Sequence, residues 1–294
     1  MIDPSALLVE HWGVTTPVRP LGGGMNSETW LVEHAGSTWV AKHVPEGGVA
    51  GLVAGSEVAT TLADAGFATG RPLPARDGRL VVVAPDGSGL ALLEHVAGRE
   101  LEGESDDEQV WIATVLAGVH AATDLGPEPA TATFAADWLA PGAPGVTEHG
   151  WLVAAISGVR AETDPLALTW ATLHADPAPE AFVHDDATGT TGLIDWAGST
   201  RGPVLYDVAS AVMYLGGAEH ATAFLDAYDA RGPLAHGELR HLDAFRRMRE
   251  VVQGVYFAGR LAADDLTGGI ERADNEKGLS DARRRLAELG VRTD

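Results

Sequence analysis

Two aspartates nineteen residues apart constrain this chain more than any other feature: Asp176 in Leu173-His174-Ala175-Asp176-Pro177, and Asp195 in Leu193-Ile194-Asp195-Trp196. The first lies in a turn just after a histidine, and the second closes a short apolar strand. A carboxylate in the first setting accepts a proton from a hydroxyl. One in the second setting holds the divalent cation that bridges nucleotide phosphates, so together they sketch a phosphoryl-transfer centre. Neither aspartate carries that reading alone.

The remaining chain supplies matching parts. After a short helical start from Ala6 to Trp12, the segment from Pro17 to Val44 reads as strand, glycine turn, strand, polar turn, strand. Thr29-Trp30-Leu31-Val32 and Thr38 to Val44 hold its β-branched and aromatic residues. Ser56 to Ala65 has helical spacing, with Val58, Leu62 and Ala65 expected on one face and Gly66 as the stop. Leu80 to Val83 and Leu90 to Glu94 are two more strands around Asp86-Gly87-Ser88-Gly89. From Ser105 onward helices dominate, and the acidic run Glu102 to Glu108 suits a helix start, where the dipole favours carboxylates. The Pro/Gly-rich piece from Pro127 to Gly150 reads as loop. A chain of 294 residues is long enough for two lobes, and the change of character sets their boundary near Gly98 to Gly103. The expected division is 1–98 and 99–294.

Leu21-Gly22-Gly23-Gly24-Met25-Asn26-Ser27 lies between strands, so the backbone around Gly23, Gly24 and Asn26 can approach phosphate oxygens, helped by the Ser27 hydroxyl. A plain hairpin turn explains the same glycines. Lys42 is more telling, because Lys42 and Lys277 are the only lysines among twenty basic residues. A compact ammonium on a flexible stem reaches between two phosphates where a planar guanidinium does not fit in the same way. The bland alternative is a lysine snorkelling from an edge strand. Glu57 is the natural carboxylate to hold Lys42 extended, or else a helix-start glutamate favoured by the dipole.

In this order of parts (glycine loop, strand lysine, helix glutamate, then the two aspartate motifs) the chain resembles the aminoglycoside phosphotransferase and choline kinase family of small-molecule kinases, from about Pro17 to Arg260. The resemblance implies an α+β, bilobal protein-kinase-like fold: an N-terminal antiparallel β lobe with one main helix, a mostly helical C-terminal lobe, and ATP with Mg²⁺ between them. It makes Asp176 the catalytic aspartate, Asp195 the magnesium ligand and Lys42 the ligand of the α- and β-phosphates. Leu92 to Val96 becomes the hinge whose backbone, around Glu94 and Val96, meets the adenine. It has His174 order the catalytic loop and Asp207 brace it. One position departs from the family. Its motif carries a metal-binding asparagine five residues after the catalytic aspartate, where this chain has Ala181. Glu180, one residue earlier, is the expected substitute ligand. Ala175 replaces the family's glycine and is tolerated unless the turn needs a positive φ, which would cost on the order of 1 kcal/mol.

Composition enters by exclusion. A net charge of −22 opposes binding to nucleic acid or anionic lipid, both of which need clustered Lys and Arg, and suits a cationic small molecule, although solubility and a general compositional background explain the same bias more simply. Cysteine is absent, which removes disulfide scaffolds and thiolate metal sites. The N-terminus lacks a basic segment followed by an apolar one, and no run approaches the roughly eighteen apolar residues of a spanning helix. A soluble cytoplasmic protein is expected. Arg249, Gln253, Tyr256 and Arg260 recur at helical intervals; they line an acceptor cleft or form an ordinary packed and solvated helix. The expected function is ATP-dependent transfer of the γ-phosphate to a hydroxyl of a small molecule, such as an aminoglycoside, a sugar or an amino alcohol. The alternative is a nucleotide-binding pseudokinase with a regulatory role. Oligomeric state is not legible.

Overall fold

The computed structural model describes residues 4–21, 26–123, 126–128, 134 and 138–293. In chain order the elements are α1 (Ser5–Trp12), β1 (Val18–Leu21), β2 (Glu28–His34), β3 (Ser37–Val44), α2 (Val49–Asp64), β4 (Val82–Val83), β5 (Gly89–Glu94), β6 (Arg99–Glu100), α3 (Asp106–Ala122), β7 (Gly126–Glu128), α4 (Gly150–Thr163), β8 (Leu168–Leu173), β9 (Phe182–Asp185), β10 (Thr190–Leu193), β11 (Thr200–Pro203), α5 (Leu205–Tyr214), α6 (Thr222–Asp229), α7 (Leu242–Ala263) and α8 (Arg272–Glu288). Packing does not follow a single cut after residue 98. One compact unit is Met1–Glu102 with Glu180–Ser199, and the other is Gly103–Pro179 with Thr200–Asp294.

The first unit is built on a five-stranded antiparallel sheet in the order β1-β2-β3-β5-β4. Strands β2 and β3 are joined through Ala35 and Gly36, both at positive φ, the two-residue turn whose twist matches the flanking strands. One face of the sheet packs Trp30, Val32, Ala41, Leu90 and Leu92 with Leu8 and Trp12 of α1. On the other face Val44, Val81 and Ala91 meet Leu52 of α2. Helix α2 starts at Val49, seven residues before the expected onset, because tertiary contact outweighs the low helix propensity of Gly51 and Gly55. Its buried residues are Leu52, Gly55, Ser56, Ala59 and Leu62, not the face through Val58 and Ala65. Gly66, at φ 97°, does end the helix.

In the second unit, Ser105 caps α3 by accepting from the Glu108 N–H. Glu108, the last of the acidic run, is buried, and its Oε2 accepts the Gly103 N–H at 2.7 Å. The sheet here is β11-β8-β7, so the Pro/Gly-rich stretch expected as loop contributes an edge strand. Helix α7 packs against α4, α5 and α8 around Leu152, Ile156, Tyr206, Phe245, Met248 and Val251. Among the described residues no helix is long and apolar enough to cross a membrane.

Candidate active site

Lys42 stands on β3, the central strand of the five, in register with Thr29 of β2 and Ala91 of β5. That position rules out the edge-strand explanation. The period-two alternation sends Ala41 into the α1 side of the sheet and Lys42, with Val44, toward α2. Lys42 is only 8% exposed, and a buried ammonium requires a counter-charge. Its Nζ is ion-paired with Oδ1 of Asp195, 153 residues away.

Asp195 reaches that lysine through backbone design. Hairpin β9–β10 pairs Phe182 with Leu193, and Leu193 N–H donates to Ala68 at 2.9 Å, anchoring the hairpin within the first unit. Asp195 then adopts a left-handed conformation, φ 69° and ψ 57°, uncommon for a non-glycine residue and a frequent mark of functional positions. The following turn, Trp196–Gly198, docks on α2. There a Cβ on Gly55 would sit 2.3 Å from the Trp196 carbonyl oxygen, and one on Gly51 would sit 2.6 Å from that of Ala197. The two α2 glycines therefore admit the turn that carries Asp195.

Glu57, expected to hold Lys42, does not do so. It lies exposed on α2, and Asp195 is the partner, because the glycine-lined face rather than the Glu57 face of α2 meets the turn. Gly23 and Gly24 lie outside the described residues. Asn26 is exposed and Ser27 buried, immediately before β2. Glu94 ends β5, its N–H bonded to the Arg71 carbonyl at 2.8 Å. Val96 Cγ1 covers Gly192, where a Cβ would come within 2.8 Å of it. Glu180 is exposed. Ile194 N–H donates to the Ala181 carbonyl at 2.9 Å, which ties the residue after Glu180 to the residue before Asp195.

The second unit holds Asp176. Strand β8 ends at Leu173, and the loop after it is pinned by Asp207, fully buried on the first turn of α5. Asp207 Oδ2 accepts the His174 N–H at 2.7 Å and Oδ1 accepts the Ala175 N–H at 2.9 Å, the bracing the family resemblance implies. His120 Nε2 lies 3.1 Å from Oδ2, and His120 Nδ1 lies 2.6 Å from the Tyr228 hydroxyl. A carboxylate only accepts, so His120 directs Nε2–H at Asp207, and burial raises the Tyr228 phenol well above its ordinary range.

Pinned in this way, Ala175 sits at φ 71°. The turn does need a positive φ, and alanine pays strain of about 1–2 kcal/mol there. Ala175→Gly is expected to raise stability, by about 1 kcal/mol at most once the greater unfolded-state freedom of glycine is subtracted. Chemical denaturation measures this, and a loss of stability would contradict it.

Two residues hold the Asp176 carboxylate. Tyr214 Oη donates to Oδ1 at 2.5 Å and Arg249 Nη2 donates to the same oxygen at 2.6 Å. Arg249 is 5% exposed, with its Cζ 5.8 Å from the Tyr214 ring centroid and 6.0 Å from that of Tyr206, both cation–π distances. Burial pushes the Tyr206 phenol up to about 12, so it stays neutral beside the guanidinium. Gln253, with its amide oxygen facing Arg249, accepts at 3.2 and 3.3 Å. Tyr256 and Arg260 lie elsewhere: Arg260 binds Asn275, the carbonyls of Asp265 and Thr267, and the Tyr256 hydroxyl. The helical spacing of these four residues thus mixed two on the site with two that secure the end of α7. Tyr214 had no signal in the sequence.

Residues 17–250 match the model of the phosphotransferase enzyme family. The chain belongs to that family. The match begins where the motif resemblance begins and stops ten residues short of Arg260. Solved structures of family type share its protein-kinase-like α+β fold. Amicoumacin kinase hAmiN, in complex with AMP-PNP, Ca²⁺ and Ami, has a TM-score of 0.72 at 15% identity, over 92% of this chain and 88% of that one. A microcompartment-associated aminopropanol kinase gives 0.70 at 19% identity, covering 98% of both chains. Choline kinase LicA from Streptococcus pneumoniae gives 0.69 at 16% identity, covering 97% of both. No curated protein matches the chain.

Proposed function

We propose that the chain is an ATP-dependent phosphotransferase that moves the γ-phosphate to a hydroxyl of a small molecule. The observation that carries this reading is the meeting of Lys42 and Asp195. A buried strand lysine and a carboxylate on a strained turn form the pairing that binds α- and β-phosphates on one side and a phosphate-bridging cation on the other. Asp176 supplies the complementary function, accepting the hydroxyl proton. The alcohol- and antibiotic-directed kinases that share the fold support this class of acceptor.

The donor set suits magnesium. Among the described residues no three His, Asp or Glu side chains converge as a metal cage, so the protein's share is Asp195 with Glu180 as the second carboxylate, its neighbour Ala181 being bonded to Ile194. Mg²⁺ takes one or two carboxylates plus phosphate oxygens and water. Bound there, it would neutralise charge on the phosphates, and Lys42 would offer its ammonium to phosphate oxygens. Glu180→Gln is expected to raise the magnesium concentration for half-maximal turnover about tenfold and to leave the fold intact, since its side chain is exposed. An unchanged magnesium titration would remove Glu180 from the site.

The acceptor is a hydroxyl compound of the aminoglycoside-like, sugar or amino-alcohol type. The acidic surface favours a cationic one, yet the charge of Asp176 is already matched by Arg249, so the reacting carboxylate is not itself the cation's anchor. One observation favours a second reading, a pseudokinase: Ala181, where the family's asparagine belongs, is buried and offers no donor beyond its carbonyl. Magnesium-dependent ATP turnover over an acceptor panel, compared with Asp176→Asn, separates the two.

A further inference from the structure

The Asp176 carboxylate is held asymmetrically. Oδ1 takes both hydrogen bonds, from Tyr214 and from Arg249, and among the described residues Oδ2 takes none. The side chain is 60% exposed while its arginine partner is 6% exposed, so the mobile end of the pair is tied to an immobile one. Arg249 is fixed by its position on α7 within the core, by the Tyr206 and Tyr214 rings, and by Gln253. A flexible, solvent-facing aspartate is a poor base, because general-base catalysis needs the accepting oxygen within hydrogen-bond reach of the acceptor hydroxyl. Two donors on one oxygen remove the rotation that would exchange Oδ1 and Oδ2.

Building on the phosphotransferase reading, we infer that Arg249 and Tyr214 are positioning residues that lock Oδ1 of Asp176 and reserve Oδ2 for the acceptor hydroxyl. In the transfer the acceptor O–H bond breaks and its proton passes to Oδ2. The acceptor oxygen bonds to the γ-phosphorus of the nucleoside triphosphate, and the bond from that phosphorus to the bridging oxygen breaks, its electron pair leaving with the nucleoside diphosphate. Arg249 keeps its proton throughout. Its planar guanidinium, held against two tyrosine rings, aims Nη2 at Oδ1, an orientation that a lysine cannot reproduce.

The test is a double-mutant cycle on catalysis. Arg249→Met, Arg249→Lys and Tyr214→Phe are each made alone and in the Asp176→Asn background, with kcat and nucleotide KM measured for magnesium-dependent ATP turnover. The acceptors are choline, aminopropanol, spectinomycin and glucose, with water as the acceptor of last resort. Arg249→Met should lower kcat about 10²-fold, the scale of an ångström's misplacement at a reacting group. Tyr214→Phe should lower it about tenfold, Arg249→Lys should fall between wild type and Arg249→Met, and nucleotide KM should change less than about twofold. In the Asp176→Asn background all three effects should vanish, since the residues act through that carboxylate. An equal fall in both backgrounds, or a risen KM at constant kcat, would overturn the inference. If Arg249→Met fails to fold, Arg249→Lys and Tyr214→Phe carry the cycle. A large Asp176→Asn effect with silent Arg249 and Tyr214 variants overturns the positioning role and leaves the phosphotransferase reading standing. Turnover indifferent to Asp176→Asn overturns that reading, and the positioning role with it.

Discussion

On the proposed function, Asp176→Asn is expected to lower the rate of phosphotransfer about 10²–10⁴-fold, the contribution of a general base, and to leave nucleotide affinity near that of the wild type. The amide keeps the shape of the carboxylate, and its oxygen still accepts from Tyr214 and Arg249, but it takes no proton from a hydroxyl. Nucleotide affinity persists because the groups assigned to the phosphates, Lys42 and Asp195, are held by the β3 register and the β10 turn rather than by the Asp176 loop. Stability should fall as well, because the amide leaves the buried Arg249 guanidinium without its anionic partner. The measurement is steady-state turnover beside a nucleotide-binding isotherm for both proteins. Equal turnover in the two would mean that Asp176 is not the base, and binding without turnover in the wild type would favour the pseudokinase.

Asp207→Ala costs about 3–5 kcal/mol of stability, the range for removing one partner of a fully buried charged network. The substitution strands the His174 and Ala175 N–H groups and the His120 Nε2–H, all of them buried. Each unpaired donor carries a desolvation penalty of about 1–3 kcal/mol, and water entering the small cavity recovers only part of it. Asp207→Asn should restore less than half of the loss, because the new NH₂ faces a donor where the second carboxylate oxygen was. The same substitution also releases Ala175 from its left-handed conformation, so activity should fall together with stability and not return at temperatures where the variant is folded. Denaturant unfolding monitored by tryptophan fluorescence measures the first effect. A loss below 1 kcal/mol would show that the loop is held by something other than Asp207.

The two effects differ in kind because the two aspartates do. Asp176 is exposed and is proposed to work on a ligand, so its loss should appear in rate. Asp207 is buried and works on the backbone, so its loss appears in stability first. Local sequence does not separate them, since each is an aspartate beside apolar residues near the start of a loop or helix. Only the resemblance assigned them different tasks, and burial supplies the physical distinction.

The legible parts of this chain were those whose cause is local. The strands on either side of the polar turn, Gly66 as the stop of α2, and the acidic start of α3 were readable in this way. The spacing of Asp176 and Asp195 and the order of motifs identified the family. What escaped was settled by contacts between residues far apart in the chain. Gly51 and Gly55 weaken a helix when read locally, yet they are what lets the Asp195 turn dock on α2. That docking directs Lys42 to Asp195, 153 residues on, and leaves Glu57 in solvent. Ala175 read as a mild replacement until Asp207 fixed both neighbouring N–H groups and forced its φ positive. Arg249 was one of four helix residues at similar intervals until the packing of α7 brought it, 73 residues from Asp176, onto one carboxylate oxygen. Periodicity and turn chemistry are written in neighbouring residues and can be read there. Which buried charge meets which depends on how the elements pack, and desolvation decides it: an ion taken out of water must find its partner wherever the fold has put one.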